Sequence, residues 1–326
     1  MKETIKNIFI KLGGVCLLRK INQTPRIIFW HGVDHIKNQE IEVESFDVET
    51  FKKQIDYLNN NFEIISTDEF YQRFKSQKFT NKEVVLTFDD GYLNNLEIVA
   101  PILNGYGLPF TVFISTEHIE TGELFPTSIA RLIVLAAGLS EISIPEIGIH
   151  HQSISDDENK KALLLKISNT LKNEPINRVK KIVQELKDNV SQEKFEKLIE
   201  KYSSVKPMNW DQVEKLHKLG ATIGSHCKYH ICCHANQDLS EVGSQITESK
   251  KNLEEKLQYE CKYFAYPNGD FTEGSNKIVL AAGYKMGFST EKIKIQKNNN
   301  LAIIPRLGVP LNINTFKIFT GLYPKK

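Results

Sequence analysis

Two short stretches of this chain hold side chains that could do chemistry. Residues 85–92 read VLTFDDGY, and residues 223–234 read IGSHCKYHICCH. In the first, Asp89 and Asp90 stand side by side at the end of an apolar run. Two adjacent carboxylates in a partly buried place repel each other, so one of them needs a cation or a proton. Gly91 permits a sharp turn and the close approach of a ligand. A plainer role is also open to Asp90, which would cap a helix over the residues that follow. In the second stretch, His226 and His230 are four residues apart. On one helical turn that spacing faces both imidazoles the same way, and it suits two nitrogens on one divalent metal. Ordinary loop histidines are the alternative; His234 extends the spacing by another turn. Cys227, Cys232 and Cys233 raise a thiolate zinc site as a rival, weakened by the lack of a second cysteine pair at short spacing. Taken together, one carboxylate and two imidazoles make a three-ligand metal site with room for water and substrate. The remaining carboxylate is then left to act as a base.

Such groups need a scaffold that brings residue 90 beside residue 226. Short apolar runs at 26–31, 62–66, 84–88, 110–114, 221–225, 262–266, 285–289 and 302–306 read as buried strands. Helical patterns at 48–60, 209–220, 240–257 and 276–284 lie among them. Strand alternating with helix predicts parallel strands in an α/β fold, and this number of runs suits a barrel, whose catalytic groups gather at the C-terminal strand ends. Residues 124–207 break the rhythm: much helical pattern and no good strand, read as a helical insertion that could lid the site, bind a partner or be passive. The chain has 326 residues, ample for one large domain, and its net charge of +2 gives no field that favours nucleic acid. Its five cysteines, an odd number without a disulfide framework, read as reduced thiols. No run approaches the ~20 apolar residues of a membrane span.

At this point the sequence resembles the NodB-type polysaccharide deacetylases, carbohydrate esterase family four. TFDDG (87–91) is similar to their first motif, SHCKYH (225–230) to their second and YFAYPNG (263–269) to their third. The resemblance covers roughly residues 25–120 and 208–310 and leaves the insertion outside. It implies a distorted (β/α) barrel over 25–326, with the insertion at about 124–207 and an N-terminal helix over 1–24. It implies Asp89 as general base, Asp90, His226 and His230 as ligands of a divalent metal (zinc first, with cobalt, nickel or iron as alternatives), and the backbone N–H of Asn268 as oxyanion donor. It implies hydrolysis of the acetamide of an N-acetylated sugar in a cell-surface polysaccharide or lipid-linked glycan precursor.

Departures from the family pattern matter equally. Ala265 stands where an arginine often orients the base, and no histidine follows His234, so the usual acid is missing. His31, at the end of the first predicted strand, is the candidate acid, with a buried structural histidine as the alternative. Arg306, ending the last predicted strand, is the candidate partner of Asp89, with a surface ion pair as the alternative. Tyr92, Tyr266 and Pro267 are candidate sugar contacts; Trp30 reads as core, and His35 and His118 as rim residues. A groove lined by Tyr92 and Tyr266 would favour a glycan, whereas a closed pocket under the insertion would favour another small amide. A non-catalytic glycan-binding relative is the third reading. The first 20 residues place Ile5, Phe9, Leu12 and Cys16 at helical spacing among basic residues, either an interfacial helix with peripheral membrane contact or a helix packed on its own domain. With no export signal apparent, a cytoplasmic location is expected, with peripheral contact at the inner membrane face.

Overall fold

The computed structural model describes residues 3–22, 24–80 and 82–322. Its centre is a ring of parallel strands: β1 (Arg26–Trp30), β2 (Glu83–Phe88), β3 (Thr111–Ile114), β4 (Thr222–Ser225), β5 (Tyr263–Ala265), β6 (Met286–Ser289), β7 (Ile304–Pro305) and β8 (Leu307–Gly308). They pair in the order β7-β6-β5-β4-β3-β2-β1-β8. β2 is buried at every position, as expected of a parallel strand covered on both faces.

Alternation along each strand sorts its side chains between two cores. Ile28, Trp30, Leu86, Phe88 and Val112 face the surrounding helices. Ile27, Val85, Phe113, Met286, Phe288 and Ile304 fill the barrel. Gly224 makes room for this filling: a Cβ there would lie 2.4 Å from the Phe113 ring.

Closure depends on residues 304–308. Ile304 and Pro305 pair with β6, whereas Leu307 and Gly308 pair with β1, so one segment joins the two ends of the sheet. The sequence predicts a single strand here; the structure splits it, with Arg306 at the split. The run at 62–66 also yields less than a full strand. Only Glu63–Ile64 pairs, against the start of β2, because Ser66 caps the next helix by accepting from the Glu69 N–H at 3.1 Å.

The insertion is not wholly helical. Glu141–Ile144 and Ile149–Ser153 form an antiparallel hairpin. Its apolar alternation, Ile142 and Ile144, is too short to stand out in the sequence. Together with the helices Asp157–Asn173, Ile176–Lys187 and Gln192–Lys201, the hairpin builds a second apolar cluster around Ile133, Ile144, Ile167 and Ile182.

At the N-terminus two helices, Glu3–Lys11 and Gly14–Ile21, replace the single stripe expected from the spacing. The break falls at Gly13, whose φ is +76°. Gly14 then packs so closely that a Cβ would meet the Phe9 ring at 2.5 Å. Both helices rest on the C-terminal helix Ile313–Leu322. Lys6 Nζ donates to Thr315 Oγ1, and Asn314 Nδ2 to Glu3 Oε1 and Asn7 Oδ1, each at 2.7 Å. Met1, Lys2 and Gln23 of the expected N-terminal segment, Asn81, and residues 323–326 lie outside the described residues. No helix among the described residues is long and apolar enough to cross a membrane.

Candidate active site

The inward face of β2 carries Val85 and Thr87, and the next inward position is Asp89. On the closing segment the inward position after Ile304 is Arg306. The two side chains meet inside the barrel mouth: Arg306 Nη1 and Nη2 donate to Asp89 Oδ1 and Oδ2, both at 2.7 Å. Arg306 is fully buried, and its guanidinium also lies 4.7 Å from the Phe29 ring centroid. Burial alone would raise the Asp89 pKa; the Arg306 guanidinium, together with His226 and His31, outweighs it and holds the carboxyl below its usual value.

Asp90 leaves the strand with φ +74° and Gly91 follows with φ +83°. The glycine is sterically required, since a Cβ there would sit 2.7 Å from Ile114 Cγ2. This turn sends adjacent carboxylates to different partners. Asp90 Oδ1 is buried and accepts no hydrogen bond, yet it lies 3.6 Å from His226 Nε2 and 3.2 Å from His230 Nε2. Burial opposes its charge, but His230, His31 and His226 together hold its carboxyl well below the ordinary range.

His226 and His230 do not share a helical turn. They lie on a loop in which Cys227 and His230 take positive φ, 63° and 53°. The loop is fixed from both sides: the His226 N–H donates to Ile114 O at 2.8 Å, and the Tyr229 N–H to Gln245 Oε1 at 2.7 Å. His226 Nδ1 is 2.7 Å from Ala265 O. A carbonyl only accepts, so Nδ1 carries the proton and Nε2 presents its lone pair, the tautomer a metal ligand needs. Burial pushes the His226 pKa down to about 4, so the ring is neutral at pH 7.

One donor atom each from Asp90, His226 and His230 lie within 4.8 Å of one another. An orphaned buried carboxylate oxygen facing two imidazole nitrogens fits a divalent cation. The cysteines do not form a rival site. Cys227 and Cys233 are 3.9 Å apart and buried, and burial pushes the Cys227 thiol well up and that of Cys232 to about 12.

His31 lines the same cleft. Its Nδ1 is 3.7 Å from Glu44 Oε2, and Glu44 Oε1 is 3.3 Å from Arg131 Nη2, which comes from the insertion. Glu44 lies just before a three-residue strand and has no motif, so nothing in the sequence announces it. Phe125 was equally hidden: it meets the His230 ring edge-on at 5.2 Å. His118, expected at the rim, is buried between Phe125 and Tyr229, and burial lowers its pKa to about 4. His35 is exposed.

The expected sugar contacts need correction. Tyr92 is 1 % exposed, packs edge-on against Phe125 and does not line the cleft. Tyr266 borders the cleft but is 0 % exposed, its hydroxyl spent on Asn276 Oδ1 at 3.0 Å. Pro267 is buried inside its turn. Each belongs to a tightly packed strand end, so none presents a free face. Asn268, by contrast, is exposed, takes φ +56° and lines the cleft. Trp30 is core, as expected, with its Nε1 donating to Gln54 at 2.9 Å.

The cleft has a volume of about 570 Å³. Phe125, Leu171, Lys172 and Val179 of the insertion form one wall, and Lys292, Val309, Pro310 and Phe319 border it as well.

Residues 76–287 match the polysaccharide deacetylase family. No curated protein matches the chain. Among solved structures, the Streptococcus pyogenes deacetylase PplD in complex with acetate is 15 % identical, with a TM-score of 0.60 over 92 % of this chain and 99 % of that one. IcaB from Ammonifex degensii is 14 % identical, with a TM-score of 0.59 over 92 % and 97 %. The BpsB deacetylase domain from Bordetella bronchiseptica is 14 % identical, with a TM-score of 0.52 over 88 % and 96 %. At such identities these structures speak to the fold, a nearly closed parallel-strand barrel surrounded by helices.

Proposed function

The chain belongs to the polysaccharide deacetylase family, and from that membership and the site's geometry we propose a metal-dependent hydrolase. Its substrate is the acetamide of an N-acetylated sugar, in a cell-surface polysaccharide or its lipid-linked precursor. The observation that carries the reading is the division of labour between neighbouring carboxylates: Asp89 is clamped by Arg306, while Asp90 faces His226 and His230.

Asp90, His226 and His230 would hold the cation, with zinc best suited to two imidazoles and a carboxylate. Such an ion polarises a carbonyl and lowers the pKa of water. Asp89 takes the proton of the attacking water, and Arg306 keeps that carboxylate ionised and oriented. The backbone N–H of Asn268 receives the developing oxyanion. His31, steadied by Glu44, returns a proton to the leaving amine.

One observation favours a second reading, hydrolysis of a smaller amide. The cleft is walled by the insertion and lacks the open tyrosine faces expected of a polymer groove. Acetate release from N-acetylated oligosaccharides, lipid-linked sugars and simple acetamides separates the two. Release from the saccharides, lost in Asp89→Asn, supports the first reading. Release from simple acetamides alone supports the second, and none from any substrate would reject hydrolysis of acetamides.

A further inference from the structure

We infer that the outward face of the two N-terminal helices is a docking surface for an anionic phospholipid bilayer. Twelve large apolar side chains are exposed among the described residues, and five of them lie here: Ile5, Ile8, Leu12, Leu17 and Ile21. Leu12 at 81 % and Ile21 at 66 % are the most exposed of all. They do not face outward for want of a partner surface on the fold. Phe9, Ile10, Val15 and Leu18 of the same helices turn inward and are partly or fully buried. Gly321 of the C-terminal helix comes so close that a Cβ there would lie 3.2 Å from Leu18 Cβ. The helices are therefore fixed on one side and apolar on the other, at the spacing i, i+3, i+7 for residues 5, 8 and 12 and i, i+4 for residues 17 and 21.

Charge selects the occupant. Residues 1–22 carry five basic side chains (Lys2, Lys6, Lys11, Arg19 and Lys20) and one acidic, Glu3, a net of +4. The whole chain is only +2, so residues 23–326 are net −2. The positive excess of the molecule is thus concentrated in the segment that exposes the apolar side chains. Lys11 and Lys20 are exposed beside these side chains, whereas Lys6 pairs with Glu3 and Thr315 and Arg19 lies over the Tyr57 and Phe62 rings. Apolar side chains flanked by exposed lysines are what the interface of an anionic bilayer binds. A second copy of this chain would bring +4 against +4.

The surface is also well placed. Phe319, on the C-terminal helix on which the N-terminal pair rests, lines the active-site cleft. This favours a lipid-linked substrate presented at the bilayer. That substrate statement rests on the proposed deacetylase activity; the docking does not.

The test is flotation of the full chain with vesicles of phosphatidylcholine, with and without one part in three phosphatidylglycerol. Wild type is expected to float with the anionic vesicles and to remain behind with the neutral ones. Leu12→Ser/Leu17→Ser/Ile21→Ser and Lys11→Glu/Lys20→Glu are each expected to lower binding about tenfold or more, with unchanged melting temperature and unchanged acetate release from soluble saccharides. Wild type left unfloated by anionic vesicles overturns the inference, as do variants that float like wild type. A lipid-free oligomer that the triple serine variant dissolves would also overturn it, assigning the face to a second copy. Expected flotation without acetate release from any substrate would sink the activity and leave the docking standing.

Discussion

Asp89 and Arg306 neutralise each other in a place where neither could be tolerated alone. Arg306→Ala leaves a buried carboxylate without its cation, and it is expected to destabilise the fold by about 3–5 kcal/mol, read as a lowered midpoint in urea unfolding. Arg306→Lys keeps the charge but loses the paired geometry, so it is expected to recover stability better than activity. His31 offers a pH test. Burial opposes its charge, but the carboxylates of Glu44, Asp90 and Asp89 prevail and raise its pKa above the ordinary 6.5. As an acid it must be protonated, so activity falls as pH rises through that value. Glu44→Gln removes the largest of the raising carboxylates, and the alkaline limb of the kcat/KM profile is expected to move to lower pH. A limb that stays in place would remove the His31–Glu44 pair from the mechanism. Asp89, shifted the other way, limits activity only as pH falls below the ordinary carboxylate range.

At the scale of elements, the turn after β2 and the insertion carry separable predictions. Gly91→Ala puts a Cβ against Ile114 in a backbone conformation that favours glycine; a cost of about 1–3 kcal/mol is expected, together with weaker metal binding because Asp90 is displaced. Ile167 is fully buried in the second apolar cluster. Ile167→Ala should cost about 2–5 kcal/mol and raise KM more than it lowers kcat, since Leu171 and Val179 of that unit line the cleft but are far in role from the proton transfers. Steady-state kinetics decide this. These elements also show what a sequence can reveal. The place of Asp89 at a strand end was legible, but a strand that is apolar on both faces does not tell which face is inward, so its aim into the barrel was not. The convergence of His226 and His230 was legible from their types, but for another geometric reason: positive-φ turns bring them together rather than a helical turn. Glu44 and Phe125 reach the site from segments without periodicity, and no local signal marks them.

For the whole molecule, the order of strands and helices was readable because each buried parallel strand is a continuous apolar run. Closure was less so. Two pairs of residues flanking Arg306 join different strands, and pairing partners leave no trace in a five-residue stretch. Tyr92, Tyr266 and Pro267 misled because an aromatic or proline next to a motif reads as exposed when it is packing. The same closure explains why the site holds together: the turn after β2 supplies both carboxylates, the loop after β4 both imidazoles, and the closing segment the arginine. The most direct test of the central claim combines metal content with acetate release on one sample of purified enzyme. After chelation, wild type is expected to lose acetate release from an N-acetylated oligosaccharide and regain it with about one equivalent of zinc, while His226→Ala neither holds the metal nor recovers. Full acetate release by metal-stripped enzyme, or stoichiometric metal retained by His226→Ala, would contradict the account.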